Sequence, residues 1–274
     1  MVNFNMLENF DGLGKAIKIA DDKKEMIVTL DVGPRIISFL AQNEHNIFAQ
    51  NVKECDILPD GSKCNVYGGF RICHSPEAFP RTYISDSFPA ESYEILEDGI
   101  IVTAAPEKWT NIQKILEVHF LDNSVKVISR LKNCGAWAIN CSVWAISVCS
   151  VGSRIVCPNN KHDTGLLPNR HLVLWPYSVM NDERVMWGDE FTILDCNDRS
   201  ESAFKFGCSN ESGWAAAFNK NQCFVKRFAY DADLNYPDFG CNFEAYSTNW
   251  GIEMESLSPL KQINPDSEII HEEE

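Results

Sequence analysis

Two glutamates near the C-terminus have the spacing of a pair that could share proton-transfer chemistry. Glu253 and Glu255 lie two positions apart in residues 252–257, a run with strand character. Since side chains alternate between the faces of a β-strand, both carboxyl groups should lie on one face. General acid–base catalysis needs one group that takes up a proton and another that gives one. Paired carboxyl groups can divide those roles when their environments separate their pKa values. The alternative is two acidic side chains on a solvated face.

A second pair with the same spacing precedes them. Glu244 and Tyr246 lie in another expected strand, and Asp238 comes just before it in a Tyr-Pro-Asp turn. Carboxylates accept hydrogen bonds from hydroxyl groups, and an aromatic ring offers a surface for stacking. All three residues are therefore candidates for substrate binding, although Asp238 also suits a purely turn-forming role after proline.

Residues 51–89 carry a third group of candidates. This stretch is poor in strand pattern and rich in Gly, Pro, Ser and Asp, so we expect a long, ordered, functional loop over residues 51–89. It contains the segment Gly68-Gly69-Phe70-Arg71-Ile72-Cys73-His74-Ser75-Pro76-Glu77. Arg71 could bind substrate through its forked donors, and Glu77 could accept hydrogen bonds. His74 is a candidate catalytic acid because imidazole titrates near neutral pH. Alternatively, Arg71 and Glu77 form an ion pair that holds the loop.

Two further candidates for substrate binding stand apart in the sequence. Arg35 could supply another cationic donor. Trp175 could stack on a ligand ring, as could Tyr177 and Trp144, although aromatic side chains in β-proteins more often belong to the core.

Strand signals dominate the rest of the chain and recur about every ten residues, the spacing of a sandwich or barrel. Residues 140–149 form a longer apolar run, as expected for a strand buried on both faces. No amphipathic helix of three turns is evident, and no linker divides the chain. The sequence therefore predicts a nearly all-β protein with a single domain over residues 1–274.

The charge balance restricts the partners. The chain has 24 Lys and Arg against 39 Asp and Glu, a net charge of −15. Such a surface repels phosphate backbones and anionic membranes, so we expect no nucleic-acid and no membrane partner. The chain is expected to be a monomer or homodimer.

The N-terminus has no basic, apolar export signal, so we expect a cytoplasmic protein whose 11 cysteines are reduced thiols. No cysteine pair has the spacing of a standard zinc site. The chain also lacks a P-loop, a G-x-G-x-x-G turn and a G-x-S-x-G elbow. Neither a metal nor a cofactor is predicted.

Three segments resemble those of aldose 1-epimerases. They are Gly33-Pro34-Arg35-Ile36, Asn133-Cys134-Gly135 before the long apolar run, and the C-terminal residues 251–260 with 264–268. The sequence is more similar to a bacterial group of the same fold that has no settled activity. The shared motifs are residues 68–77, Leu174-Trp175-Pro176-Tyr177, residues 236–246 and residues 253–260.

This resemblance covers nearly the whole chain and implies a galactose-mutarotase-like β-supersandwich of two large, twisted, mostly antiparallel sheets. It also implies a small-molecule carbohydrate as the partner, and opening a sugar ring needs a base for the anomeric hydroxyl proton and an acid for the ring oxygen. It implies Glu255 as the base and favours Lys226 over its neighbour Arg227 as a substrate-binding cation. The sequence departs from the epimerases on the strand after Asn-x-Gly, where they carry a catalytic histidine. Here residues 140–148 contain no histidine, and Trp144 stands nearest that position.

Three functions fit these observations. The first is an aldose-1-epimerase-like isomerase with Glu255 as base and His74 or another carboxyl group as acid. The second is a non-catalytic sugar-binding or sensing protein, which the missing histidine favours. The third is a lyase or hydrolase acting on an oligosaccharide, which would need an extended open cleft.

Overall fold

A computed structural model describes residues 1–84, 86–199 and 202–274, except for the side chain of Glu54. These residues form strands throughout, with a 3₁₀ turn at Arg81–Tyr83 and one helical turn at Pro237–Gly240. Asp238 and Phe239, in the turn at Pro237–Gly240, have positive φ angles of 50° and 63°. The prediction of a nearly all-β protein is confirmed.

One large sheet contains 11 strands. In spatial order, ten of them are β1 (Asn3–Leu7), β2 (Ala16–Ala20), β3 (Lys24–Thr29), β4 (Arg35–Ala41), β7 (Gly69–Ser75), β12 (Ile139–Cys149), β21 (Ile252–Leu257), β20 (Phe243–Ser247), β17 (Phe204–Cys208) and β14 (Leu172–Leu174). The eleventh strand, β22 (Lys261–Ile263), pairs with the start of β12.

Two five-stranded sheets and a hairpin complete the described strands. The first sheet has the order β23 (Glu268–Glu273), β11 (Val125–Asn133), β10 (Ile112–Phe120), β9 (Gly99–Thr103) and β8 (Ser92–Ile95). The second has the order β15 (Val185–Trp187), β16 (Phe191–Asp195), β13 (Arg154–Pro158), β18 (Trp214–Asn219) and β19 (Gln222–Arg227). The hairpin pairs β5 (Val52–Ile57) with β6 (Lys63–Tyr67).

The main core lies between one face of the large sheet and both five-stranded sheets. Ile252 and Met254 of β21 belong to the same buried cluster as Leu116 of β10 and Ala217 of β18. The second layer is thus divided into two sheets, while the layered β-sandwich predicted from the sequence is confirmed.

β12 is buried on both faces, as its apolar run predicts. Ala145 and Cys149 pack in the main core, whereas Ile146 and Val148 belong to a second cluster on the opposite face of the large sheet. That opposite face also carries the polar residues of the candidate site.

The prediction of a long loop at residues 51–89 is wrong for about half of its length. β5, β6 and β7 all lie within it, so Arg71 and His74 belong to the large sheet. Gly68 and Gly69 have φ angles of 102° and 72°, which let the chain leave the hairpin and enter β7 at once. A Cβ on Gly69 would lie 2.2 Å from the Ile36 carbonyl oxygen. Ser85 of this stretch lies outside the described residues.

None of the helical segments in the described part of the chain is long and apolar enough to cross a membrane. All 11 cysteines are unbridged; seven of them are buried.

Candidate functional site

Polar side chains from neighbouring strands converge on the face of the large sheet that points away from the main core. Glu253 and Glu255 of β21 are joined by Glu244 of β20, which stands directly opposite Glu255 in the register. Lys205 comes from β17 and Arg71 from β7. We call these five residues the carboxylate cluster.

Lys205 is the centre of the cluster. Its Nζ lies 2.6 Å from Glu244 Oε2 and 2.8 Å from Glu255 Oε2. Glu244, Glu255 and Lys205 are 1%, 1% and 3% exposed, so these ion pairs are almost fully desolvated. One buried ammonium thus fixes two carboxyl groups from adjacent strands in one geometry.

Gly207 provides the space that Glu244 occupies. It stands opposite Glu244 in the β17–β20 register. A Cβ on Gly207 would lie 3.3 Å from Glu244 Cγ and 2.7 Å from Cys241 Sγ. A larger residue there would push Glu244 away from Lys205.

Trp144 of β12 supplies a further donor, since its indole Nε1 donates a hydrogen bond of 2.6 Å to Glu255 Oε2. Arg71 Nη2 lies 3.9 Å from Glu253 Oε1, which is beyond hydrogen-bond distance. The Oε1 atoms of Glu244, Glu253 and Glu255 and the Nε of Arg71 are all buried without a hydrogen-bond partner among the described residues. The cluster therefore offers three acceptors and one donor to a ligand.

The charges do not balance when every carboxyl group is ionised, because three carboxylates face two cations. Burial raises the pKa of Glu253 to about 7, against the lowering effect of Arg71 and with help from Glu255. Burial also raises the pKa of Glu244 well above its usual range, although Lys205 opposes this. Burial lowers the pKa of Lys205, but Glu244 and Glu255 outweigh it and hold that pKa well above its usual value. Near neutral pH the cluster thus contains both protonated and ionised carboxyl groups.

Four aromatic side chains surround the cluster: Trp175, Tyr177, Tyr246 and Trp250. The Lys205 ammonium lies 4.5 Å from the centre of the Trp175 ring. Tyr177 meets Tyr246 edge-on with ring centres 6.3 Å apart, and Trp250 lies 6.2 Å from Tyr246. We call these four residues the aromatic rim. The free carboxyl oxygens of the cluster are inaccessible to solvent.

Comparison with solved structures identifies the fold of the chain. No protein-family model matches the sequence, and no curated protein matches it. A galactose mutarotase-like protein from Lactobacillus casei is similar over 94% of this chain and 98% of its own, with 9% identity and a TM-score of 0.54. A candidate aldose 1-epimerase from Escherichia coli K12 is similar over 100% of this chain and 98% of its own, with 10% identity and a TM-score of 0.52.

The chain has the galactose mutarotase-like fold. A TPR-domain containing protein from Parabacteroides distasonis shares it, with 14% identity and a TM-score of 0.57, but this chain spans only 46% of that longer protein. At these identities the similarity shows the fold alone. This fold is the one that the sequence motifs predicted.

Most of the residues singled out from the sequence do meet on this face of the galactose mutarotase-like sheet. Glu253, Glu255, Glu244 and Arg71 form the carboxylate cluster with Lys205. Tyr246 and Trp175 belong to the aromatic rim.

Two acidic candidates lie nearby rather than within the cluster. Glu77 follows β7, is exposed, and accepts a hydrogen bond from the Tyr83 hydroxyl. Its charge contributes to the raised pKa of Glu253. Asp238 is half-buried in its left-handed turn, and its charge contributes to the raised pKa of Glu244. No ion pair between Arg71 and Glu77 is found among the described residues; Glu253 is the carboxylate near Arg71.

His74 cannot be the acid of this site, which corrects the sequence-based expectation. It lies three residues after Arg71 on β7 and therefore points to the opposite face. It is fully buried there, with Nε2 3.5 Å from Glu107 Oε2, and Glu107 in turn pairs with Lys114 at 2.8 Å.

Arg35 and Lys226 are held by partners outside the cluster. Arg35 stands opposite Arg71 in the β4–β7 register and shares its face. It is 0% exposed and donates hydrogen bonds to the Val66 and Gly68 carbonyl oxygens and to Asp86, so it ties β4 to the hairpin. Lys226 lies in the core layer on the other side of the sheet, where it pairs with Glu273 at 3.1 Å, so it cannot contact a ligand bound at the carboxylate cluster.

Sequence reasoning missed Lys205, the residue that organises the site. It stands between Phe204 and Phe206, both of which are fully buried in the main core. That pattern is the ordinary alternation of a strand with one solvated face, so it gives no sign of a buried lysine. Only the register with β20 and β21 reveals its partners.

Proposed function

We propose that the carboxylate cluster binds a free sugar and catalyses anomer exchange, as an aldose 1-epimerase does. The observation that carries the proposal is the buried surplus of carboxyl groups, with three carboxyls against two cations and an unpartnered oxygen on each glutamate. Such a cluster holds an acid and a base together in a site shielded from water.

The proton transfers divide between the two glutamates of β21. Glu255 Oε2 already accepts hydrogen bonds from Lys205 and Trp144, so Oε1 is the oxygen that takes the anomeric hydroxyl proton. As the C1 carbonyl forms, the bond from C1 to the ring oxygen breaks, and protonated Glu253 gives its proton to that oxygen. Rotation about C1–C2 and the reverse transfers give the other anomer.

The geometry suits this division of labour. Residues two apart on a strand are separated by about 7 Å, which leaves room for a sugar's anomeric centre between the carboxyl groups. Glu253, with a pKa of about 7, is partly protonated at neutral pH and can act as the acid. It takes the role that the resemblance gives to a histidine on β12, where this chain has none.

Arg71 and the aromatic rim would position the sugar. The free Nε of Arg71 can donate to a ring hydroxyl beside Glu253. Trp175 and Tyr177 lie on the segment between β14 and β15 and can stack on the sugar once they move aside from Lys205.

NMR saturation transfer between the α and β anomers of several free aldoses tests the proposal. We expect exchange above the uncatalysed rate for at least one sugar. Glu255→Gln should reduce that rate by about 100-fold or more, the usual effect of losing general acid–base catalysis. Glu94→Gln on β8, an exposed glutamate outside the cluster, is the matched control and should retain the wild-type rate.

Absence of acceleration for every sugar, with folding verified by circular dichroism, would overturn the catalytic proposal. An acceleration that Glu255→Gln leaves intact would assign the chemistry to another site.

A non-catalytic sugar-binding protein is the second candidate, and Trp144 favours it. Its indole is a donor only and cannot exchange a proton, yet it bonds the glutamate expected to act as base. Calorimetric binding of a sugar without anomer exchange would establish this alternative. The buried, covered cluster argues against cleavage of an oligosaccharide, which would need an open cleft.

A further inference from the structure

The large sheet ends in two edge strands, β1 and β14, of which β1 is the longer. β1 (Asn3–Leu7) pairs with β2 on one side, and no described strand pairs with its other side. In an antiparallel ladder the backbone groups of alternate residues point away from the neighbouring strand. Those of β1 have no backbone partner among the described residues. Such an edge is a template for pairing with another strand.

The other edges in the described part of the chain have features with which proteins prevent such pairing. β14, β15 and β22 have only three residues each. β8 contains Glu94, and the hairpin strands β5 and β6 contain Lys53 and Lys63. The outer side of β23 meets the end of β19, where the Arg227 and Glu274 backbones exchange hydrogen bonds of 2.7 and 3.0 Å.

β1 has none of these features. Its five residues, Asn3-Phe4-Asn5-Met6-Leu7, include no charged side chain and no proline, although the whole chain has a net charge of −15. Asn3, Asn5 and Met6 are exposed, and Phe4 packs against the main core. A strand added here would therefore extend the large sheet without burying a charged side chain of β1.

The sequence of β1 suits pairing with itself. When two identical antiparallel strands are related by a two-fold axis, one residue must lie opposite its own copy. Centring the pair on Asn5 joins all five residues, whereas centring it on any other residue joins fewer. Phe4 then lies opposite Met6 twice on one face of the sheet. On the other face, Asn5 lies opposite Asn5 and Asn3 lies opposite Leu7.

We propose that β1 is a dimerisation edge and that its partner is a second copy of this chain. The two copies pair antiparallel through β1 about Asn5, so that their 11-stranded sheets become one continuous sheet. A contact of five residues buries less surface than a permanent dimer does, so the dimer forms reversibly as the protein concentration rises. This interface does not depend on the sugar chemistry proposed for the carboxylate cluster.

Sedimentation velocity over a range of protein concentrations tests the proposal, at about 0.15 M salt, where charges more than about 8 Å apart are largely screened. We expect the sedimentation coefficient to rise from that of a monomer to that of a dimer. Asn5→Lys and Asn5→Asp should each raise the dissociation constant of the dimer about tenfold or more. The reason is that each substitution places two like charges opposite each other at the two-fold axis.

An equimolar mixture of the two variants should restore the dimer, because a lysine then lies opposite an aspartate. Ser92→Lys on the exposed edge strand β8 is the matched control and should leave the dissociation constant unchanged. Circular dichroism verifies that each variant is folded. The proposal is overturned if the wild type is monomeric at every concentration, if neither Asn5 variant weakens the dimer, or if the mixture dissociates as readily as each variant alone.

Discussion

At the scale of single residues, Lys205 determines whether the carboxylate cluster can exist in a folded protein. Its ammonium is the only cation within 3 Å of Glu244 and Glu255 among the described side chains. Two carboxyl groups buried without it would face each other in a medium of low polarity, where like charges repel strongly.

We therefore expect Lys205→Met to destabilise the protein by about 3–5 kcal/mol at pH 7, the usual cost of breaking a buried ion pair. The loss should be smaller at pH 5, where the stranded carboxyl groups can take up protons. Urea unfolding at both pH values measures it. Lys161→Met, which breaks an exposed pair with Glu190, should cost no more than about 1 kcal/mol.

Glu253 should give the stability a characteristic pH dependence. Its pKa of about 7 in the folded protein lies above the ordinary value of 4.5, so its protonated form is favoured by folding. This contribution is fully present below pH 4.5 and is lost as the pH rises towards 7. Glu253→Gln should reduce that decline in the free energy of unfolding between pH 5 and 7, as measured by urea titration, and Glu244, whose raised pKa acts with the same sign, accounts for the remainder. Glu94→Gln should preserve the full decline, and an undiminished decline in Glu253→Gln would contradict the assignment.

Glu107 and Glu273 make the stability depend on pH in a different, more acidic range. Burial raises the pKa of each, but Lys114 and Lys226 respectively outweigh it and hold both pKa values at about 2. Their stabilisation is present above pH 4.5 and is lost as the pH falls towards 2, so it does not overlap the window of Glu253.

Sequence could anticipate only some of these residues. The two-residue spacing placed Glu253 and Glu255 on one face, and likewise Glu244 and Tyr246, because strand alternation is local. The sequence could not show that Arg71 and His74 point to opposite faces, because that conclusion requires the segment to be a strand. Lys205 and the burial of its partners depend on strand order, which no local pattern contains.

At the scale of the elements, β7 separates two polar groups by its two faces. Arg71 points towards the carboxylate cluster, while His74 points into the core layer towards Glu107 and Lys114. The alternation of the strand therefore places one residue in the carboxylate cluster and the other in the core layer.

His74→Gln and Arg71→Gln should consequently have different effects. His74→Gln should lower the free energy of unfolding by about 1–3 kcal/mol, since it disturbs a buried polar pair, without altering the pH profile of anomer exchange. Arg71→Gln should weaken sugar binding more than it lowers stability. Urea titration and sugar calorimetry on both variants measure this, and a changed pH profile in His74→Gln would place the histidine in the site after all.

The hairpin of β5 and β6 shows why a loop was expected here. Its residues include Asp56 and the turn residues Asp60 and Gly61, and Ile57 is 59% exposed. A two-stranded hairpin with little buried surface has the composition of a loop, because it hides few apolar side chains. Arg35 is distant from the hairpin in the sequence and stabilises it by donating a hydrogen bond to the Val66 carbonyl oxygen.

At the scale of the whole molecule, charge should select among sugars. The net charge of −15 is reinforced at the cluster by Glu77 and Asp238, whose charges raise the pKa values of Glu253 and Glu244. An anionic sugar approaching this face would meet a negative potential.

We therefore expect glucose to stabilise the protein more than glucuronate or glucose 6-phosphate do, in thermal-shift measurements at equal concentration. The difference should shrink as salt is raised from about 0.01 to 1 M, because the screening length falls from about 30 to 3 Å. Tighter binding of glucuronate at every salt concentration would contradict the charge argument.

The fold was the most predictable property of the molecule. Regular strand spacing and motifs along nearly the whole chain indicated a β-supersandwich, and the solved structures share it at 14% identity or less. The division of the second layer into two sheets was not predictable, since it depends on where β19 and β23 stop pairing with neighbours.

The imbalance of three carboxyl groups and two cations also affects how ligand binding is measured. A sugar whose hydroxyls donate to the unpartnered oxygens stabilises their ionised forms. Occupancy should therefore expel protons from the cluster into the buffer. The heat of binding would then include the heat with which the buffer takes up those protons. Titrations in phosphate and in Tris should differ by that amount, and the difference counts the protons released per sugar bound.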